Sequence, residues 1–269
     1  MATSRRKQRG YSKFAAVRGI LNTQLVPSAE SSSDGRRSQH PRRARVVVIG
    51  ASGHARVVID ILRCQNRHEV VGLLDSFKPL ETRCAGCAVL GTVQDLEGLV
   101  RHSRVDAGVV AIGDNWTRGR IVAELRAAVP EFPFVNAIHP SAQIARDAVL
   151  GPGTVVMAGA VVNPGCRVGE FCIVNTRASL DHDCEMDDYS SLGPGAVTGG
   201  CVQIGAYSAV AIGCVVVEEI RIGKHTVVGA GATVLGDLPE HVLAYGTPAR
   251  TVRARGAGDP YLGELSRRK

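Results

Sequence analysis

His182 stands between two carboxylates, in the run Asp181-His182-Asp183-Cys184. Imidazole is the side chain whose ordinary pKa lies nearest neutrality, so it can take up a proton at physiological pH. A neighbouring carboxylate orients the ring and stabilises the imidazolium that forms. That pair suits transfer of an acyl group to an amine or hydroxyl. The base removes the acceptor's proton, and backbone N–H groups at Gly-rich corners can hold the oxyanion. No covalent acyl-enzyme is required if both substrates bind together. Asp183 is the favoured partner and Asp181 the alternative, since alternate residues of an extended chain point to opposite sides. On the residues alone, an exposed polar corner is an equally open reading of His182.

A second group surrounds Gly50-Ala51-Ser52-Gly53-His54, which ends the apolar run Val46–Ile49. A Gly-rich turn opening a helix brings backbone N–H groups up to a phosphate. The turn lacks the GxGxxG spacing of dinucleotide-binding folds, which argues against NAD. Asp75, 22 residues beyond Gly53, ends the second apolar run. It is placed for a ribose hydroxyl or a base edge, or for a turn cap. A similar loop, Gly113-Asp114-Asn115, ends a third apolar run.

No metal is expected. Cys84-Ala85-Gly86-Cys87 is a lone CxxC without a second pair at zinc-finger spacing. His139, His182 and His225 are 43 residues apart, which does not suit a three-histidine zinc site of the γ-carbonic-anhydrase kind. His139 is read as structural, His225 as surface or near the cofactor, and His68, His102 and His241 as solvent-exposed. Arg250, Arg253 and Arg255 make a basic stretch, either a solvated tail helix or an attraction for phosphates.

The elements behind these residues are legible as a repeat. From Ile138 to Val234 in steps of six, sixteen of seventeen positions are aliphatic, Thr198 being the exception. Four places on, a mostly small residue recurs, and four of the eight cysteines (Cys166, Cys172, Cys184, Cys214) occupy that slot. They read as buried apolar filler rather than ligands. A six-residue period fits neither a helix nor a two-sided strand. It predicts short strands joined by tight corners, three to a coil of 18 residues. His182 comes two places after the inward Leu180, so it projects outward or at a corner. Upstream, strands alternate with helices over roughly 55–63 and 117–128, a last strand is expected at 134–137, and the pattern predicts a parallel α/β sheet with ligands past the carboxyl ends of its strands.

The chain has 269 residues, 45% apolar and 4% aromatic, with a net charge of +7. It has no run long enough for a membrane span, and too few aromatics for a single-stranded nucleic-acid platform. Residues 1–45 hold 11 of the 32 basic residues and two of the 25 acids, so the charge belongs to that segment and the rest carries −2. A nucleic-acid partner is therefore not expected. The domains expected are a basic extension at 1–44 (a disordered tail, a transit peptide or an over-long start), a Rossmann-like domain at 45–137, a β-helix at 138–255 and a tail at 256–269. Without a secretory signal, a cytoplasmic location is expected.

The blocks Val47–Ala55, Ala-Ile-Gly-Asp-Asn at 111–115, Ile-His-Pro-Ser-Ala at 138–142, Asn-Thr-Arg-Ala-Ser-Leu-Asp-His-Asp-Cys at 175–184 and Tyr-Gly-Thr-Pro-Ala-Arg at 245–250 occur in order. With them the chain, over about 45–255, resembles the hexapeptide-repeat sugar O-/N-acyltransferases of the sialic acid O-acetyltransferase and UDP-4-amino-sugar N-acetyltransferase type. The resemblance implies a left-handed parallel β-helix behind a Rossmann-like domain, a homotrimer with sites between prisms, acetyl-CoA as co-substrate and a nucleotide-linked amino sugar as acceptor. It implies His182 as catalytic base with Asp183. It implies Ser52, Gly53, His54, Asp75, Ser76 and Gly113 at the sugar nucleotide, and Ser191, Gly200, Ile212 and Ala230 along the CoA groove. Ser191 stands where a family member has a CoA-contacting histidine, Ala230 where a glycine is expected, and Met186-Asp187 where an aliphatic-Gly pair is usual, a change expected to reshape the acceptor pocket. These departures motivate the alternative of a non-catalytic sugar-nucleotide-binding or assembly protein.

Overall fold

Residues 44–128 form β1 (Ala44–Ile49), α1 (Gly53–Gln65), β2 (His68–Leu74), β3 (Arg83–Cys84), β4 (Cys87–Gly91), α2 (Leu96–Arg101), β5 (Ala107–Val110) and α3 (Asn115–Ala128); β1, α1, β2, β5 and α3 follow the expected alternation, and α2 is not among the expected helices. The computed structural model describes residues 42–262. The expectation for the basic extension therefore lies almost wholly outside the described residues, as does the end of the tail.

The sheet order is β3-β4-β2-β1-β5, with β1 parallel to both neighbours. Both faces of β1 are covered. Val46 and Val48 pack with Val58, Ile59 and Leu62 of α1, whereas Val47 and Ile49 pack with Leu96 and Leu99 of α2 and Val122 and Leu125 of α3. That is the alternation of a strand buried on both sides. The chain leaves β1 toward β2 on one side, and β5 lies on the other. The switch point is past the ends of β1 and β5, where the loops 50–54 and 111–115 meet.

Two further regions differ from the expectation. Cys84 and Cys87 pair across a two-residue turn whose central residues, Ala85 and Gly86, have φ of 47° and 80°. This is the hairpin turn of β3 and β4, and β4 adds a parallel strand the apolar pattern did not reveal. Residues 134–137 do not form a last strand. Phe134 makes a single bridge to Gly108, and Ala137–Ile138 already belongs to the solenoid, paired with Val155–Val156.

From there two-residue strands recur every six residues and pair in parallel with those eighteen residues away, as in Val161 with Ser179. The hexad residues point inward. They form one core with the small-slot residues Ala160, Cys166, Cys172, Ala178, Cys184, Ala196, Cys214 and Ala232. The result is a parallel β-helix with three faces. The docked face carries Ala137–Ile138, Val155–Val156, Ile173–Val174, Ser191–Leu192, Ala209–Val210 and Val227–Val228. Val242–Tyr245 continues it, and Arg250–Ala254 closes it antiparallel. Arg250 and Arg253 of the basic stretch are thus on an edge strand, not a helix, and Arg255 lies buried just beyond its end. The open face carries Gln143–Ile144, Val161–Val162, Ser179–Leu180, Val197–Thr198, Val215–Val216 and Thr233–Val234. The polar face carries Val149–Leu150, Arg167–Val168, Glu185–Met186, Gln203–Ile204 and Arg221–Ile222.

The α/β layer sits on the docked face, where Ala137, Val155 and Ile173 join the α1 core. Arg118 of α3 is fully buried at the junction. It donates to the carbonyls of Phe171 (2.7 Å) and Tyr189 (2.9 Å) and to Asn115 Oδ1 (2.6 Å). Asn115 Nδ2 in turn donates to Ser191 Oγ (3.1 Å) and the Ser208 carbonyl (2.9 Å). Along the corner between polar and docked faces, Phe171, Tyr189, Tyr207, His225 and His241 stack ring on ring, 4.8–5.6 Å between centroids. His241 is therefore half-buried in a column rather than solvent-exposed, and His68 on β2, outside the column, is half-buried as well. Among the described residues no helix is long and apolar enough to cross a membrane.

Candidate active site

His182 lies at the corner between the open and polar faces, on the side of the prism away from the docked face. Its Nδ1 is 2.9 Å from Asp183 Oδ2, and both side chains are exposed. The hydrogen bond to Asp183 raises the imidazole pKa above its ordinary value, with the charges of Asp181 and Asp183 adding to it. Asp181 has a different task. Its Oδ1 accepts from the His182 backbone N–H (2.8 Å) and from Asn163 Nδ2 (3.0 Å). Its own N–H donates to Thr198 Oγ1 (3.0 Å). The one break in the aliphatic hexad therefore holds the turn that carries His182.

Two glycines frame the pair, eighteen residues away on either side. A Cβ on Gly200 would fall 2.5 Å from His182 Cε1 and Nε2. A Cβ on Gly165 would collide with Asp183 Oδ1. Asp183 itself sits at φ 58°, the left-handed conformation of the corner. Cys201, directly above Asp183 in the stack, is exposed and brings its Sγ within 4.8 Å of ligand atoms of both His182 and Asp183. The sequence reading passed over it. Adding 18 to Asp183 would have found it.

The four residues expected along the CoA groove separate. Gly200 backs the His182 ring. Ile212, 60% exposed, and Ala230 lie one above the other at the corner between docked and open faces. Between these two corners runs the open face, whose outward residues include Val161, Val197 and Val215. Ser191 is elsewhere. It is on the docked face, held by Asn115 of the same chain. Asp187 lies at the corner between polar and docked faces, so the Met186-Asp187 departure does not adjoin His182, and its expected effect on the acceptor pocket has no support in this geometry.

The residues expected at the sugar nucleotide gather at the switch point. Ser52 N-caps α1 without a side-chain cap, and no acidic residue stands in the first turn. These N–H groups and the helix dipole suit an anion. A Cβ on Gly53 would meet nothing within 4 Å, so the protein's own packing does not call for glycine there. Gly50 is required by the fold: φ is +108°, and a Cβ would approach Ala111 O to 2.9 Å. His54 has a buried Nε2 without a hydrogen-bond partner. Burial, aided by the charge of Arg118, pushes its pKa down to about 4, so the ring is neutral. Asp75 ties the loops together. Its Oδ2 accepts from Ala51 N (2.8 Å), and Oδ1 from Phe77 N (2.8 Å) and Lys78 N (3.0 Å). Those bonds fit the turn-capping reading. Ser76 is exposed beside it. Gly113 accepts from Tyr261 Oη through its carbonyl (3.3 Å).

Residues 45–125 match the family model described as the PglD N-terminal domain. The chain is 33% identical over 114 residues to the UDP-N-acetylbacillosamine N-acetyltransferase of Bacillus subtilis (strain 168), covering 42% of this chain and 51% of that protein. It thus spans about half the length of that curated relative. Among solved structures it resembles PerB from Caulobacter crescentus in complex with CoA and GDP-perosamine. The TM-score is 0.72 at 38% identity, over 77% of this chain and 97% of that one. It also resembles the acetyltransferase domain of PglB from Neisseria gonorrhoeae FA1090, with a TM-score of 0.73 at 32% identity, over 78% of this chain and 100% of that one.

Proposed function

The chain belongs to the hexapeptide-repeat sugar O-/N-acyltransferase family, and from that premise we propose that it moves an acetyl group from acetyl-CoA to the amino group of a nucleotide-linked sugar, with His182 as general base. The observation that carries the reading is the exposed His182–Asp183 pair at the edge of an uncovered, largely apolar face. Acetyl-CoA lies along that face, from Ile212 and Ala230 toward Gly200. The sugar amine attacks the thioester carbonyl carbon, forming the C–N bond, while His182 takes its proton. As the C–S bond breaks, the CoA thiolate leaves and recovers that proton, so the imidazole ends neutral. Asp183 supports the imidazolium in between.

The nucleotide sits at the switch point, its phosphates at the α1 N-terminus beside His54. That loop is packed on the docked face, and His182 is on the corner away from it. A complete site therefore needs the α/β layer of a second copy, and the proposed assembly is a trimer in which open faces meet neighbours. The decisive experiment measures thiol release from acetyl-CoA with GDP- and UDP-linked 4-amino sugars. His182→Ala should lower kcat by roughly 10²–10⁴-fold while thermal shifts with nucleotide sugars persist. Equal turnover in both proteins would remove His182 from the mechanism. Nucleotide-sugar binding without turnover in the parent protein would favour the non-catalytic binding role.

A further inference from the structure

Six of the eight cysteines are buried, leaving Cys64 and Cys201 exposed. Cys201 adjoins the catalytic pair. Cys64 has a different setting. It lies one helical turn beyond Asp60 on α1, so the two side chains share a face. His139 reaches that face from the first corner of the solenoid, immediately after Ala137–Ile138. A carboxylate oxygen of Asp60, the Cys64 sulfur and a ring nitrogen of His139 all lie within 4.8 Å of one another.

The histidine is also held in place. Its Nδ1 is 2.7 Å from Ser141 Oγ and 3.1 Å from the Ser141 backbone nitrogen. Ser141 Oγ is itself fixed by the N–H of Gly159, one coil further on (3.1 Å). The Ser141 N–H donates to Nδ1, so the neutral ring carries its proton on Nε2. A metal bound at Nε2 displaces that proton, and Ser141 Oγ, beside Nδ1, is the acceptor available to a proton that moves there. One thiolate, one imidazole and one carboxylate form a borderline-soft set. It suits zinc and its first-row neighbours, and it is wrong for magnesium or calcium, which take oxygen ligands.

We propose that Asp60, Cys64 and His139 form a binding site for a zinc-class divalent cation, with a fourth position open to solvent. The ion clips α1 to the first coil. Because α1 begins at the Ser52–His54 loop, the clip fixes that loop relative to the prism. The site lies outside the proposed acetyl-transfer machinery and stands or falls without it.

The test uses Co²⁺ as a spectroscopic probe in the full chain carrying Cys201→Ser, so that a thiolate signal reports Cys64. One equivalent should give a thiolate-to-cobalt absorption band and tetrahedral visible bands, displaced by Zn²⁺. Zn²⁺ at about 100 times its Kd should raise Tm by roughly 5–10 °C. Adding Cys64→Ser should abolish band and shift, and Asp60→Asn or His139→Asn should weaken binding at least tenfold. A band that survives Cys64→Ser, or no band and no shift with cobalt or zinc in excess, would overturn the proposal.

Discussion

The proposed chemistry turns on how two side chains divide the work that the sequence left open between Asp181 and Asp183. Asp183 bonds the imidazole, and Asp181 holds the backbone of the turn. The hydrogen bond favours the protonated ring, so the His182 pKa is raised. Since the free base does the work, kcat/KM should rise with pH through a value above the ordinary 6.5 of histidine. Asp183→Asn removes the charge. It should move that acid limb toward lower pH while cutting the rate by about 100-fold, and a pH–rate profile reads both effects. An unmoved limb would mean that Asp183 does not set the basicity. Gly200 allows a sharper separation of position from stability. In Gly200→Ala the three atoms nearest the new methyl all belong to the exposed imidazole ring, which can swing away. The expected result is a kcat lower by roughly 10²-fold with Tm changed by about 3 °C or less.

At the scale of elements, the three faces of the prism explain why the site lies where it does. The docked face is covered by α1 and α3. The polar face presents Arg167, Glu185, Gln203 and Arg221 to water. The open face presents Val161, Ser179, Val197 and Val215, with Ile212 and Leu235 exposed beside it, an apolar strip of the kind that marks a binding surface. Val215→Arg places a charge in its middle. It should raise the KM for acetyl-CoA roughly tenfold, as expected when about 1.4 kcal/mol of binding is lost, and yield smaller species by light scattering from a chain that remains folded. Much of this was legible beforehand. The hexad frame fixed which residues point inward, because an eighteen-residue coil repeats one environment along each column. It could not say which face the α/β layer covers. That depends on contacts such as Arg118 with the Phe171 and Tyr189 carbonyls, made across long sequence separations. For the same reason Ser191 was expected beside CoA and is found under Asn115. The β4 strand escaped notice because Cys87-Ala-Val-Leu-Gly91 is short and follows a CxxC that draws attention as chemistry rather than as a turn.

On the scale of the whole molecule, the two halves of the proposed site are held apart in one chain. Asn115 and Arg118 lock the α/β layer to the docked side, their polar groups satisfied by the carbonyls of Phe171, Tyr189 and Ser208. Swinging that layer round to His182 would strip a buried guanidinium of its partners, which costs several kcal/mol. A neighbouring copy brings its own nucleotide loop without that penalty. The arrangement predicts complementation between two inactive chains. His182→Ala lacks the base but keeps the loop. Gly53→Phe keeps the base and fills space that the protein itself leaves empty, so it should block the nucleotide without disturbing the fold. Each alone should be inactive. Co-refolded in equal amounts, a site is whole when a loop from the first meets a base from the second. In randomly mixed trimers that occurs at about one site in four, so the mixture should recover roughly a quarter of parental activity. Sites contained within single protomers would recover none, because every chain then carries its own defect.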